Sequence, residues 1–180
     1  MKQLIRGLLL ITAVMLISST ADAKTLTRYT TQTVTLRDSK TGKALTKVKK
    51  NTKIKQTKSG KVWSRVKYDN KLYKVKTKYL ADRKAVRKYT GVKFKNTGVV
   101  YWDNHKFTWY SQRALPGYGL KIPGRHVDKQ GFVCDKWGYI VLGSNTSNRG
   151  KIIPTPFGRF GKVYDAGYVG TYWFDCYVAW

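Results

Sequence analysis

Apolar residues in this chain alternate singly over short runs, and turn residues cut those runs every eight to twelve positions or so. Between Tyr29 and Leu80 the runs Val34–Arg37, Val48, Thr52–Lys55, Val62–Tyr68 and Leu72–Lys76 are separated by Asp38–Gly42, Lys58–Gly60 and Asp69–Asn70. Period-two alternation with Gly, Asn and Asp punctuation specifies strands rather than helices, and strands this short and evenly spaced predict a small all-β barrel or sandwich. Lysines fill the alternate positions, so one face of each strand is solvated and cationic while Val, Ile, Leu and Tyr build the core. The same lysines guard edge strands against pairing with other chains. Trp63, Tyr68, Tyr73 and Tyr79 sit at strand spacing and read as core or near-core rather than as a binding platform.

From Gly91 onward the chain turns to aromatics and glycines. Val99–Trp102, Phe107–Tyr110, Gly131–Cys134, Gly138–Leu142, Lys151–Ile153, Gly161–Tyr164 and Tyr172–Trp180 read as strands. Asn104-His105, Leu115–Leu120, Ile122–Gly124, Ser144–Gly150, Pro154–Pro156 and Gly167–Gly170 read as the turns between them. That strand density leaves no room for long helices, so a closed or nearly closed barrel is expected, with Trp180 packed against it. The charged stretch Asp82–Lys88 has no apolar face. Residues 83–98 are therefore expected to be a linker, with room for one helical turn.

Charge supports two domains. Lys and Arg number 36 against nine acidic residues, all aspartate, for a net charge of +27. Lys24–Lys88 carries 22 of the basic residues against Asp38, Asp69 and Asp82, whereas Gly91–Trp180 carries 12 against five aspartates. An excess of this size calls for a polyanionic partner. With no glutamate in the chain, any carboxylate chemistry rests on aspartate.

The first residues identify the compartment. Lys2 and Arg6, the apolar run Leu8–Ile17 and the small-residue site Ala21-Asp22-Ala23 form an export signal at residues 1–23. The apolar run falls short of the roughly eighteen residues a membrane span needs. Residue 24 is lysine, which gives no attachment point for lipid, so no stable membrane anchor is expected. Outside the cytoplasm the available polyanions are teichoic acids, peptidoglycan carboxylates and lipid head groups; nucleic acid is not expected. Cys134 and Cys176 are the only cysteines, and an even pair in an exported chain favours a disulfide.

The N-terminal runs resemble a known domain. Val34-Thr-Leu-Arg37, Lys47-Val-Lys-Lys-Asn-Thr-Lys-Ile54, Val62-Trp-Ser-Arg-Val66 and Val75-Lys-Thr-Lys-Tyr-Leu80 are similar to bacterial SH3-like (SH3b) domains, with Asn51 where a glycine is usual. The resemblance implies a small SH3-like barrel over residues 24–82 that targets the cell wall.

The C-terminal half resembles a second family. Phe107-Thr-Trp-Tyr-Ser111, Leu115-Pro-Gly-Tyr-Gly-Leu120, Ile122-Pro-Gly-Arg-His-Val-Asp128, Gly138-Tyr-Ile-Val-Leu142, Thr155-Pro-Phe-Gly158, Gly161-Lys-Val-Tyr-Asp-Ala-Gly167 and Phe174-Asp-Cys-Tyr177 are similar, in that order, to 3D-type domains of cell-wall lytic proteins. The resemblance implies a six- to seven-stranded double-psi-type β-barrel over residues 99–180, related to lytic transglycosylases. Of the three aspartates that name this family, Asp165 matches the second and Asp175 the third. Gly143-Ser144-Asn145 stands where the first is expected.

A lytic transglycosylase needs one carboxylic acid to protonate the glycosidic oxygen. Asp175, between Phe174 and Cys176, suits that role, and Asp165 would orient it. Arg125, His126 and Asp128, with Tyr110, are read as lining a groove for an anionic glycan. No metal or other cofactor is expected: zinc needs at least three protein ligands, and the chain has two histidines. A Cys134–His126 peptidase pair is the rival nucleophilic reading.

Overall fold

The computed structural model describes residues 25–114 and 120–180. The expected export segment, residues 1–23, and most of the expected Leu115–Leu120 turn lie outside the described residues.

The described chain is all-β apart from one short helix. Its elements run β1 (Leu26–Thr30), β2 (Val34–Asp38), β3 (Ala44–Val48), β4 (Lys53–Lys58), β5 (Trp63–Tyr68), β6 (Lys71–Lys76), β7 (Leu80–Ala81), α1 (Gly91–Thr97), β8 (Val99–Trp102), β9 (His105–Ser111), β10 (His126–Val127), β11 (Val133–Cys134), β12 (Ile140–Ser144), β13 (Ile152–Pro154), β14 (Phe160–Ala166) and β15 (Trp173–Val178). They form two sheets, one of seven strands and one of eight.

The first sheet has the order β3-β2-β6-β5-β4-β1-β7, and its paired strands are all antiparallel. The alternation in the sequence maps directly onto its faces. Ile54 and Gln56, Ser64 and Val66, and Tyr73 and Val75 point inward while Lys55, Arg65 and Lys74 between them face outward. Val48 of β3 and Ile54 of β4, strands far apart in the order, share one apolar cluster with Val34, Leu36, Val66 and Tyr73. Such sharing requires the sheet to curl on itself. The two inward polar side chains are satisfied in series: Gln56 Nε2 donates to Ser64 Oγ (2.7 Å), which bonds Thr77 Oγ1 (2.9 Å), which donates to the Gly60 carbonyl (2.6 Å). Strand β1 was not expected from the sequence.

The second sheet runs β10-β11-β12-β15-β9-β8, with β14 added beside β12 and β13 beside β14. Two of its pairings are parallel, β12 with β14 and β9 with β15. Its core gathers Phe94, Phe107, Phe132, Phe157, Phe174, Ile140, Leu142 and Val163.

The expected linker is part of this core. Thr90 caps α1 by accepting from Lys93 N (3.2 Å), Gly98 ends it with a positive φ of 73°, and Phe94 between them is fully buried. Val92 and Phe94 alone gave the segment no visible amphipathic face; Val92 is exposed, yet the Phe94 ring packs, tilted, at 4.6 Å from Phe157. The two sheets also meet through a packed joint: Ala81 and Ala85 cluster with Tyr139 and Phe160, and Asn51 exchanges two hydrogen bonds with the Ala85 backbone. Tyr139 Oη donates to Gln32 Oε1 (3.0 Å) and bonds the fully buried Thr31 hydroxyl (2.8 Å). Tyr139→Phe strips both partners of their bond, so we expect a loss of about 1–3 kcal/mol. Calorimetry should register it as a fall in Tm of several degrees; an unchanged Tm would remove this bond pair from the joint.

The disulfide is corrected. Cys134 and Cys176 are both free and buried. Strands β11 and β15 touch at the Phe132–Val178 bridge and then part, because β12 enters beside both: Ile140 pairs with Cys134 and Leu142 with Cys176. Each cysteine thus packs as a small apolar residue. Burial raises the Cys134 thiol to about 11, with Asp128 adding to the rise, and likewise pushes Cys176 well above its ordinary value. A protonated, desolvated thiol is a poor nucleophile, which removes the physical basis for the Cys134–His126 pair.

Candidate functional site

Strand β12 organises the site. Gly143 pairs with Asp165 of β14 on one side and with Asp175 of β15 on the other. Both aspartate β-carbons lie within 3.8 Å of where a Cβ on Gly143 would sit. A glycine there leaves room for two carboxylates to flank one point on the sheet.

A bulge sets the orientation of Asp165. The parallel register between β12 and β14 advances evenly through Leu142–Val163 and then skips, so that Gly143 faces Asp165 instead of Tyr164. Without the extra residue, alternation would turn Asp165 toward the apolar core beside Val163. Bulges commonly re-aim a side chain in this way.

Each carboxylate has its own donors. The Tyr177 hydroxyl donates to Asp165 Oδ2 (2.5 Å) and the Ala166 amide to Oδ1 (2.8 Å). Burial, reinforced by that bond to Asp165, pushes the Tyr177 phenol up, so it remains a donor. Asp175 Oδ1 accepts from Thr108 Oγ1, its register partner across the parallel β9–β15 pair. Thr108 in turn accepts from Trp173 Nε1 (2.6 Å). This relay fixes the Thr108 proton on Asp175, because the indole can only donate. With Tyr110, Ser144, Gly167 and Val169, the two aspartates and Tyr177 line an open hollow of about 170 Å³.

The other sequence-derived residues divide. Tyr110 lines the hollow, its ring 5.9 Å from Tyr177. Arg125 is held outside it by a bond to Gln112 Oε1 (2.9 Å). His126 is exposed on β10, its Nδ1 3.0 Å from the Gly124 carbonyl. Asp128 is not a groove residue. Its side chain is 5% exposed and ion-paired with Arg159 (3.0 Å), and its Oδ1 accepts from the Gln130 and Phe132 amides.

Asp128 belongs to a repeated device that the sequence carries openly. Asp128-Lys-Gln-Gly-Phe132 and Asp135-Lys-Trp-Gly-Tyr139 share the pattern Asp-x-x-Gly-aromatic, and both fold alike. In each, the aspartate carboxylate accepts from the amides two and four residues on, and the glycine takes a positive φ. The fully buried Asp135 also accepts from Tyr164 Oη (2.6 Å). Both aspartates build hairpins that deliver β11 and β12 to the sheet. Thr108, Trp173 and Tyr177, by contrast, had no local signal, because only strand pairing brings them to the aspartates.

Ser144 and Asn148, at and just beyond the position where the resemblance led an aspartate to be expected, are spent on structure. Ser144 Oγ donates to the Trp173 carbonyl (2.8 Å), and Asn148 Nδ2 bonds Ser144 Oγ (2.9 Å) and the Thr171 carbonyl (2.7 Å). Among the described residues no group of three or more His, Cys or Asp side chains is placed to hold a metal ion. Comparison of the chain with protein-family models, curated proteins and solved structures returns no match.

Proposed function

We propose that this is a secreted, cell-wall-associated protein that binds peptidoglycan through a cationic SH3-like module and cleaves its glycan strands in a 3D-type, double-psi-like barrel, with Asp175 as general acid. The observation that carries this reading is the shared hollow of Asp165 and Asp175, ten residues apart in sequence, around a glycine that leaves both carboxylates accessible. Asp175 protonates the glycosidic oxygen as the C1–O bond breaks. The resulting carboxylate takes the proton from the sugar's own 6-hydroxyl, whose oxygen closes on C1. The product is a 1,6-anhydro end, and no water is consumed. Asp165, which accepts from the Ala166 amide and the Tyr177 hydroxyl, stabilises the cationic character that develops at C1. Tyr110, with its ring about two-fifths exposed at the rim, offers an apolar face to a sugar ring.

A second reading, non-catalytic binding to the wall, draws on Ser144 and Asn148: where the resembling family has a third carboxylate, this chain has structural hydrogen bonds. Digestion of purified sacculi separates the two. Release of soluble muropeptides is the expected result, and no release at concentrations that saturate the sacculi leaves only binding.

A further inference from the structure

The outer face of the first sheet carries a ladder of cations set by strand register. Arg37 of β2 pairs with Lys74 of β6, Lys74 with Arg65 of β5, and Arg65 with Lys58 of β4. Four like charges therefore stand side by side across four strands. At about 4.8 Å per inter-strand spacing the row is about 14 Å long. None of the four joins an ion pair among the described residues. Like charges directly opposite one another destabilise a sheet, so the row costs folding free energy that an anionic ligand would return.

Beside the row is a hollow of about 220 Å³, bounded by Trp63, Tyr79, Arg37 and Lys76 together with Gln32–Thr35. Trp63 is 38% exposed, and Lys74 Nζ and Lys76 Nζ lie 5.7 and 5.9 Å from its ring. An uncharged, hydroxyl-bearing spacer fits such a hollow, while anions at either side meet the cations.

We propose that this face is a binding site for a linear polyol-phosphate polymer, with phosphodiesters along the Arg37–Lys74–Arg65–Lys58 row and a polyol unit against Trp63. The site rests on the wall-binding reading above and gives it a ligand chemistry. A polycarboxylate lacks the uncharged spacer, and a nucleic acid places a bulky base where the hollow is small.

The test is titration of the full chain with lipid-free poly(glycerol phosphate) over a range of NaCl concentrations. Four phosphate contacts predict a slope of log K against log[salt] near −3, at about 0.7 per contact for a flexible strand. Arg65→Gln/Lys74→Gln should flatten the slope by about 1.4 and weaken binding at least tenfold at low salt. The matched control Lys84→Gln/Lys95→Gln, which lies off the row, should leave both near wild type. Equal effects of the two doubles would overturn the row, and equal binding of polygalacturonate or single-stranded DNA would overturn the polyol-phosphate assignment. Both doubles must remain folded, and relief of repulsion predicts that Tm rises in the row variant; a fall would contradict the ladder. Asp175→Asn, far from the row, should bind the polymer with the wild-type salt slope while losing glycan cleavage, so failure of the polymer site and failure of glycan cleavage are read separately.

Discussion

Phe157→Ala is expected to cost about 3–5 kcal/mol of folding stability, the range for truncating a large buried aromatic. Phe157 is fully buried and sits at the crossing of the second core. Its ring lies 4.6 Å from Phe94 of α1, 4.8 Å from Phe132 ahead of β11 and 6.0 Å from Phe107 of β9. Its backbone also bridges to Arg87, in the segment leading out of the first sheet. One truncation therefore opens a cavity among three elements and loosens the helix that the sequence presented as linker. Since small domains retain only about 5–15 kcal/mol in total, urea unfolding should show the midpoint falling by about a fifth or more. Phe157→Leu, which keeps most of the volume, should cost no more than about 1.5 kcal/mol. Equal losses for the two variants, or a loss below 1 kcal/mol for alanine, would mean that the aromatic crossing does not organise this core.

Asp175→Asn is expected to lower glycan cleavage by about 10³-fold or more, at the upper part of the range for loss of a general acid. In the proposed reaction the same carboxyl both gives and recovers the proton, while both oxygens of Asp165 already accept from the Ala166 amide and the Tyr177 hydroxyl. Asparagine keeps the shape and can still accept from Thr108 through its amide oxygen, so Tm should move by no more than a degree or two. Thr108→Val tests the positioning relay instead. It removes the donor to Asp175 and the acceptor for Trp173, and should reduce kcat while leaving KM for soluble glycan oligomers nearly constant. A Thr108→Ser variant should restore most of the rate.

Much of the fold was legible because strand alternation is local. The inward set Ile54, Val66 and Val75 and the outward lysines follow from period two alone, and Asp165 and Asp175 stood out from the motifs around them. What the sequence did not disclose depends on pairing across long separations. The parallel register that brings Thr108 to Asp175 spans 67 residues. The bulge that turns Asp165 outward depends on β12 and has no mark in β14 itself. Helix α1, where the linker reading left room for only one helical turn, is held by one phenylalanine rather than by a face. The expected disulfide failed for a related reason: two cysteines can share a core and still be parted when a third strand enters between their neighbours.

The account turns on Asp175 as the acid of an intramolecular cleavage. The most direct measurement is mass spectrometry of the ends released from purified peptidoglycan by the wild-type protein and by Asp175→Asn in parallel. The account predicts 1,6-anhydro ends, lighter than hydrolysed ends by one water, from the wild type and essentially none from the variant. Hydrolysed ends from the wild type, or equal release by both proteins, would contradict it.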